Sequence, residues 1–318
     1  MSSPLSEAPE TASDSADSPD ELSLALQRSD ADGPTGQRYV DPLGHLTHVP
    51  RITCTGVWPD HGEWLDIDLA WRVASTLGVA PAAAIVHRGV LVAAAGSPMS
   101  AANAALRALN ADPQGATGAT LALTTRVDVT CARALAACPV AIVVARDVDE
   151  GALEELNTVP TWRLLTVGDA AVQPPLALRT TAFGVHVQPA RAEDVEVGAC
   201  VPFGAPLDVT TLPAADLALR VVRQLWGHSA VVVDRSGTRA IVQAQASGAD
   251  ALQIVAAKAR RAPTGCALGL SDPPTDPKLI ELLGRMGVRT VVVARGAVMP
   301  ANVAEAATKA GIAFLLGG

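Results

Sequence analysis

The sequence predicts an α/β protein built in layers. Short β-branched or apolar runs alternate with longer stretches of helical periodicity, the pattern of a sheet covered by helices. Apolar residues make up 49% of the 318 and aromatic residues only 3%, so Ala, Val and Leu must build the core, which suits closely packed layers. Residues 105–128 then read as helix, small-residue loop and strand in direct succession.

That stretch organises the chain. Ala105, Leu106, Ala108 and Leu109 give one apolar helical face. Asp112-Pro113 ends the helix, because proline disfavours helix in the residue before it. The loop 114–119 contains Gly115, Thr117 and Gly118, and 120–125 reads as a strand. Glycines let backbone N–H groups approach a ligand, and successive loop amides can form an anion nest. The same glycines also serve a tight helix-to-strand connection.

Composition excludes several classes. A net charge of −8 argues against a nucleic-acid groove, which needs a basic footprint. The five cysteines, Cys54, Cys131, Cys138, Cys200 and Cys266, are scattered without a C-x-x-C pair, so neither a zinc site nor a redox pair is expected. Their odd number, with no signal peptide, reads as reduced thiols of a cytoplasmic protein. No apolar run is long enough to span a membrane; residues 79–95 are interrupted by His87, Arg88 and Gly89.

Taken in order, residues 1–37 are rich in Ser, Pro, Asp and Glu and read as a disordered acidic tail, with a short helix at 21–27. Asp41-Pro42-Leu43-Gly44 is a turn. His45 and His48 lack a third ligand nearby and read as surface histidines, so no metal is expected. A helix runs from Trp64 to Leu77 with Asp66 or Asp68 as N-cap. Strands 82–86 and 90–95 flank His87-Arg88-Gly89, which reads either as a solvated hairpin turn or as a strand-end loop whose imidazole acts as a general base near pH 7. Helices 130–137 and 149–157 alternate with strands 139–145 and 162–167. After a mixed link come helix 213–226, strand 231–234, the turn Asp234-Arg235-Ser236-Gly237 and return strand 238–244. Helices 251–261, 276–286 and 302–310 follow, with strands 288–294 and 312–316.

The 105–128 stretch resembles the segment R-A-x-x-x-D-P-x-S-A-F-G-G-x-x-A-x-x-x-x-x-D of AICAR transformylase, the formyl-transfer domain of the bifunctional purine-biosynthesis enzyme. Arg107, Ala108, Asp112, Pro113, Ala116, Gly118, Ala122 and Asp128 stand in register without a gap. Residues 162–167 (WRLLTV) are similar to the family's N-L-R-L-L-x-x, and 182–188 to S-G-G-L-L-V-Q. Gln245, Ser247 and Asp250 match G-Q-x-S-R-x-D, with Gly248 at the arginine. The resemblance extends unevenly over about residues 65–316.

The resemblance implies two α/β/α units of cytidine-deaminase-like topology, at 38–200 and 201–318, without the upstream cyclohydrolase domain. It implies 10-formyl-tetrahydrofolate as donor, and a homodimer or a heteromer with a related subunit. His87 matches the histidine of K-H-x-N-P-C-G, with Val86 at the lysine. Ser229 takes the asparagine of K-S-N-A, preceded by His228, and Ser271-Asp272-Pro273-Pro274 replaces S-D-A-F-F-P-F without its aromatics. The implied catalytic set is His87, His228 and Ser229, with Arg88, Thr117, Gly118, Gln245 and Ser247 binding a small-molecule substrate. So many altered positions imply a formyltransferase-type enzyme repurposed for a small amine or a heterocyclic or nucleoside substrate in specialised metabolism. The alternatives are a non-catalytic relative that binds a ligand or supports a partner subunit, and a protein that keeps only the fold.

Overall fold

The computed structural model describes residues 27–28, 39–40, 52–158, 162–168, 176–189, 196–259, 264–296 and 298–317. The expected acidic tail, the 41–44 turn, His45 and His48 fall outside these residues, apart from β1 (Gln27–Arg28), which pairs antiparallel with β2 (Tyr39–Val40).

The remaining elements form one series repeated twice. The first runs β3 (Thr53–Cys54), α1 (His61–Thr76), β4 (Ala82–His87), β5 (Val90–Gly96), α2 (Ala101–Ala111), β6 (Thr120–Leu123), α3 (Val129–Ala136), β7 (Ile142–Ala145), α4 (Glu150–Asn157) and β8 (Arg163–Thr166). A separate hairpin follows, β9 (Leu176–Thr181) with β10 (Gly184–Pro189). The second series repeats the order: β11 (Val201–Gly204), α5 (Leu212–Arg223), β12 (His228–Asp234), β13 (Gly237–Gln245), α6 (Gly248–Ala259), β14 (Ala267–Leu270), α7 (Pro277–Met286), β15 (Thr290–Val293), α8 (Ala301–Ala310) and β16 (Ala313–Leu316).

All of these strands except β9 and β10 join one 12-stranded sheet, in the order β11-β16-β15-β14-β12-β13-β5-β4-β6-β7-β8-β3. In each series a hairpin lies innermost, three parallel strands follow outward, and an antiparallel strand closes the rim. The halves meet where β13 pairs antiparallel with β5 at Gly237 and Ala95. The Thr238 hydroxyl supports this seam, accepting the Ala94 N–H at 2.9 Å. Equivalent strands meeting antiparallel relate the halves by an approximate two-fold axis. The parallel strands of one half therefore run opposite to those of the other, and their carboxyl ends lie at opposite edges of the sheet.

Strand side chains alternate between two faces. Ala82, Ala84 and Val86 of β4 point into a core shared with α1 and α5, which cover one face across both halves. Ala83 and Ile85 point to the other face, under α2, α3 and α4, and in the second half α6, α7 and α8 cover that same face. With so few aromatics, Ala and Val at close approach fill these layers, and among the described residues Phe314 is the bulkiest fully buried side chain.

Several features differ from the sequence expectation. Helix α1 starts earlier, with Asp60 as N-cap: its carboxylate accepts the Glu63 N–H at 2.9 Å, and the Glu63 carboxylate accepts the Asp60 N–H at 2.9 Å. This reciprocal capping box satisfies two orphan donors, leaving Asp66 inside the helix and buried. Strand β14, all small or aliphatic, was not expected, because four residues between two irregular segments carry too short a period to register. The 182–188 segment, to which the sequence assigned no element, enters the β9–β10 hairpin outside the main sheet.

Candidate functional site at one sheet edge

The β4–β5 connection is a two-residue turn. Arg88 and Gly89 both adopt the left-handed conformation, φ 53° and 76°, as the tight hairpin turn matched to strand twist requires. The buried Asp66 carboxylate accepts both turn amides, Arg88 N–H at 2.8 Å and Gly89 N–H at 2.6 Å. Gln243 of β13 ties the same turn to the second half, accepting the Leu91 N–H at 3.2 Å and donating to the Gly89 carbonyl at 3.0 Å. His87 stands at the end of β4, partly buried and opposite Val90.

His228 begins β12 at this same edge, because β4 and β12 run antiparallel through β5 and β13. Its Nδ1 lies 2.9 Å from Asp272 Oδ2, just past the carboxyl end of β14. The Ser271 hydroxyl donates to that oxygen at 2.7 Å, and an Arg295 nitrogen lies 3.5 Å away. The carboxylate thus holds one imidazole nitrogen and leaves Nε2 for a proton-transfer partner. A carboxylate on one nitrogen fixes the ring's orientation and tautomer. His228 and Asp272 are 41% and 33% exposed, so solutes reach the pair.

Ser229 is 2% exposed, and its hydroxyl donates to the Trp226 carbonyl at 2.8 Å. Gln245 pairs with His228 across β12 and β13 and donates to the Gln243 carbonyl at 2.8 Å. Ser247 opens α6: its hydroxyl donates to Asp250 Oδ2 at 2.7 Å and accepts the Asp250 N–H at 3.1 Å. Gly248 lies beside the imidazole; a Cβ built there would stand 3.9 Å from His228 Nδ1. Thr117 and Gly118 lead into β6, and the Gly118 N–H is bonded to the Pro139 carbonyl at 2.7 Å. Gly118 lines a shallow, mostly apolar hollow of about 400 Å³ with Cys138, Pro139 and Trp162.

The structure therefore brings His228, Gln245 and Ser247 to one edge. His87 and Arg88 share that edge three strands away, roughly 14 Å at the usual strand spacing. Thr117 and Gly118 lie in the turn just before β6, one strand beyond β4.

The internal repeat separates scaffold from addition. In the first half the Ala82 N–H donates to the Thr124 hydroxyl at 3.0 Å; in the second the Ser229 N–H donates to the Ser271 hydroxyl at 2.9 Å. Thr124 N–H to Ala82 O and Ser271 N–H to Ser229 O repeat the match, at 3.1 and 3.0 Å. What differs are the flanking residues: Pro81 and Thr125 in one half, His228 and Asp272 in the other. The hydroxyl clamp belongs to the fold; the His–Asp pair is special to the second half.

Sequence reading missed Asp272, Arg295 and Asp66 as site residues. Ser271-Asp272 carried a usable signal, since polar residues directly after a parallel strand lie where α/β sites form. That signal was hidden while β14 went unread. Trp226 was also missed. It is 63% exposed two residues before His228, and the Arg179 guanidinium of β9 lies 5.8 Å from its ring centroid. Among the described residues no group of three or more His, Cys, Asp or Glu could hold a metal, and no helix is long and apolar enough to cross a membrane.

Comparison with known proteins agrees with this architecture. The family model described as AICARFT/IMPCHase bienzyme matches residues 47–258. The bifunctional purine biosynthesis protein PurH from each of two strains of Desulfitobacterium hafniense is 26% identical over 275 residues, covering 86% of this chain and 52% of the relative. The chain thus spans about half the length of these curated relatives. Among solved structures, two forms of Acinetobacter baumannii RibD align over 32% of the chain and 33% of theirs, at 20% and 19% identity with TM-scores of 0.25 and 0.24. With the model match spanning well over half of its residues, the chain belongs to the AICARFT/IMPCHase bienzyme family.

Proposed function

We propose that this protein is a formyltransferase-type enzyme that formylates a small amine, or a heterocyclic or nucleoside amine, with 10-formyl-tetrahydrofolate as donor class. The observation that carries the reading is the His228–Asp272 pair at the carboxyl edge of β14, 2.9 Å apart and open to solutes. In such a transfer the attacking nitrogen gains a formyl carbon and sheds a proton. His228 Nε2 takes that proton as general base, while Asp272 keeps the Nδ1 proton in place and offsets the charge that forms on the ring. His228 then holds a proton for the departing nitrogen, so the proton count closes. The bound donor would supply the formyl carbon. The exposed Trp226 ring, two residues before His228, and the Arg179 guanidinium 5.8 Å from its centroid would meet that donor's ring and acidic tail. His87 and His228 stand three strands apart on one edge, and in this reading a second subunit, a copy of this chain or a relative, completes the site in a cytoplasmic assembly.

A second reading is favoured by different observations. The Ser229 hydroxyl and the Gly118 amide are committed within the fold, and Gly248 brings no side chain to the edge. On that reading the protein is non-catalytic and binds a ligand or supports a partner subunit.

A formyl-transfer assay over a panel of amines and amino-heterocycles, with wild type and His228→Gln, decides between them. Loss of a positioned base should lower the rate about a hundredfold to ten-thousandfold. Turnover that survives the substitution undiminished overturns the assignment of His228. No turnover with any acceptor, alongside binding, leaves the second reading.

A further inference from the structure

We infer that the outer edge of β9 pairs with the same edge of a second copy of this chain, joining the two hairpins into one sheet. This rests on the two-subunit reading above and deepens it by naming the segment that holds the second subunit. The hairpin shares no ladder with the main sheet. Two strands alone are marginally stable in water, and a third strand or a packed helix is what secures such a unit. Among the described strands that end a sheet, β9 and β10 are the longest, at six residues each. The main sheet guards its ends: β3 has two residues, and β11 carries Pro202. β10 ends in Pro189, which has no amide to offer. β9, with the sequence LALRTT, has neither guard. Its one charge, the Arg179 guanidinium, lies 5.8 Å from the Trp226 ring centroid of its own chain. An open edge of that length is a template for another strand.

The register says which chain fits. Thr181 and Gly184 close a two-residue loop. Bonding direction alternates along a strand, so Ala177, Arg179 and Thr181 bond to β10, and the backbone groups of Leu176, Leu178 and Thr180 face outward. That outward row is symmetric about Leu178 and therefore complements itself. Two antiparallel copies set Leu178 opposite Leu178 of the partner subunit, and Leu176 opposite Thr180 of the partner subunit. Arg179 then falls opposite Ala177 of the partner subunit, so like charges are not directly opposed. The pairing is isologous and closes on itself, which an unrelated extended peptide on the same edge would not do. It also brings the second copy to the proposed site, because Arg179 reaches Trp226, which is 63% exposed and two residues before His228.

The test combines sedimentation equilibrium of the full chain with oxidative cross-linking by copper-phenanthroline in air. Wild type should be dimeric. Leu178→Lys sets two ammonium groups opposite each other, and Thr180→Pro removes an outward amide; each should weaken the dimer roughly tenfold or more. A melting curve on each variant establishes that it is folded. Leu178→Cys should give a disulfide-linked dimer, since directly opposed residues of such a ladder stand about 5.5 Å apart, within disulfide reach. Gln188→Cys on β10 should not, nor should wild type through its own cysteines. Unchanged dimer affinity in both folded variants, no link through position 178, or equal linking through position 188 overturns the edge, and a dimer that persists in those cases leaves the two-subunit reading standing. A monomeric wild type overturns both. Formyl transfer undiminished in a monomeric Leu178→Lys upholds the edge and removes the second subunit from the activity.

Discussion

Asp66, in the middle of α1, accepts the backbone N–H of Arg88 at 2.8 Å, and its other oxygen takes the next amide of the turn, Gly89, at 2.6 Å. A carboxylate from one layer thereby sets the tip of a hairpin in another. Hydrogen bonds to a charged acceptor contribute about 1.5–3 kcal/mol each, so Asp66→Ala should cost about 3 kcal/mol or more. Asp66→Asn, which keeps one acceptor oxygen, should cost less. Urea unfolding monitored by circular dichroism measures both, and an unmoved midpoint for the alanine variant refutes the assigned role.

Gly237 is where the halves touch. A Cβ there would stand 2.6 Å from the Ala94 carbonyl oxygen and 2.8 Å from Ala95 Cβ, at a φ of +156° that side chains rarely adopt. Backbone cannot yield as a flexible side chain does. Gly237→Ala should therefore destabilise by about 3 kcal/mol, the upper end for overpacking, and open the β5–β13 seam. Hydrogen exchange should show faster exchange at Ala94, whose amide bonds across the seam to Thr238, before the outer strands respond.

His228 should exist as a single tautomer, with its proton on Nδ1 facing Asp272. Nitrogen-15 chemical shifts of the imidazole report this directly. Asp272→Ala should convert the ring to a mixture, and Ser271→Ala should leave the tautomer unchanged because the His–Asp contact remains. A ring already mixed in the wild type would remove Asp272 as the group that orients it.

How much of this edge was legible depended on period and reach. The hairpin at His87–Val90 was legible as one of two readings of that segment, because apolar runs flanked a polar, glycine-containing stretch. The helix entry at Asp60 was missed although Asp60 and Glu63 have capping-box spacing, because the tryptophans nearby and the later aspartates drew the boundary forward. Asp272 could not be paired with His228 from sequence. Their contact spans 44 residues and depends on β14 lying next to β12, a non-local pairing that no local period encodes.

Burial pushes the Cys131 thiol up to about 12 and the Cys266 thiol up to about 11, with nearby Asp128 and Asp234 adding to the effect. The thiolate is the reactive form. Native protein at pH 8 should leave both unmodified by iodoacetamide, while urea-unfolded protein labels them fully. Peptide mass analysis separates the sites, and modification of Cys131 in the native state would contradict its burial.

The Glu63–Arg163 pair ties α1 to β8 and should give stability an acid limb. Hydrogen bonding to Arg163 holds the Glu63 carboxyl below its ordinary range, against the opposing effect of burial. A carboxylate with a depressed folded-state pKa stabilises fully above its unfolded value, about 4.3, and loses that contribution as pH falls through the folded value. Glu63→Gln should therefore melt lower than wild type at pH 6–8, by a difference on the order of 1 kcal/mol, and the gap should close below about pH 4. Melting curves across pH 3–8 measure it, and a gap that widens in acid would reverse the sign.

The outermost strands determine how this large sheet behaves in crowded solution. One rim ends in β3, only two residues long, and the other in β11, which carries Pro202. An exposed rim normally offers unpaired amides that recruit another chain strand by strand, and brevity and proline are two ways natural sheets refuse that invitation. Growth by end-on polymerisation is thus discouraged at both terminal ladders. Association between copies is thereby steered away from the two rims, toward a helical face, the detached hairpin or the polar edge.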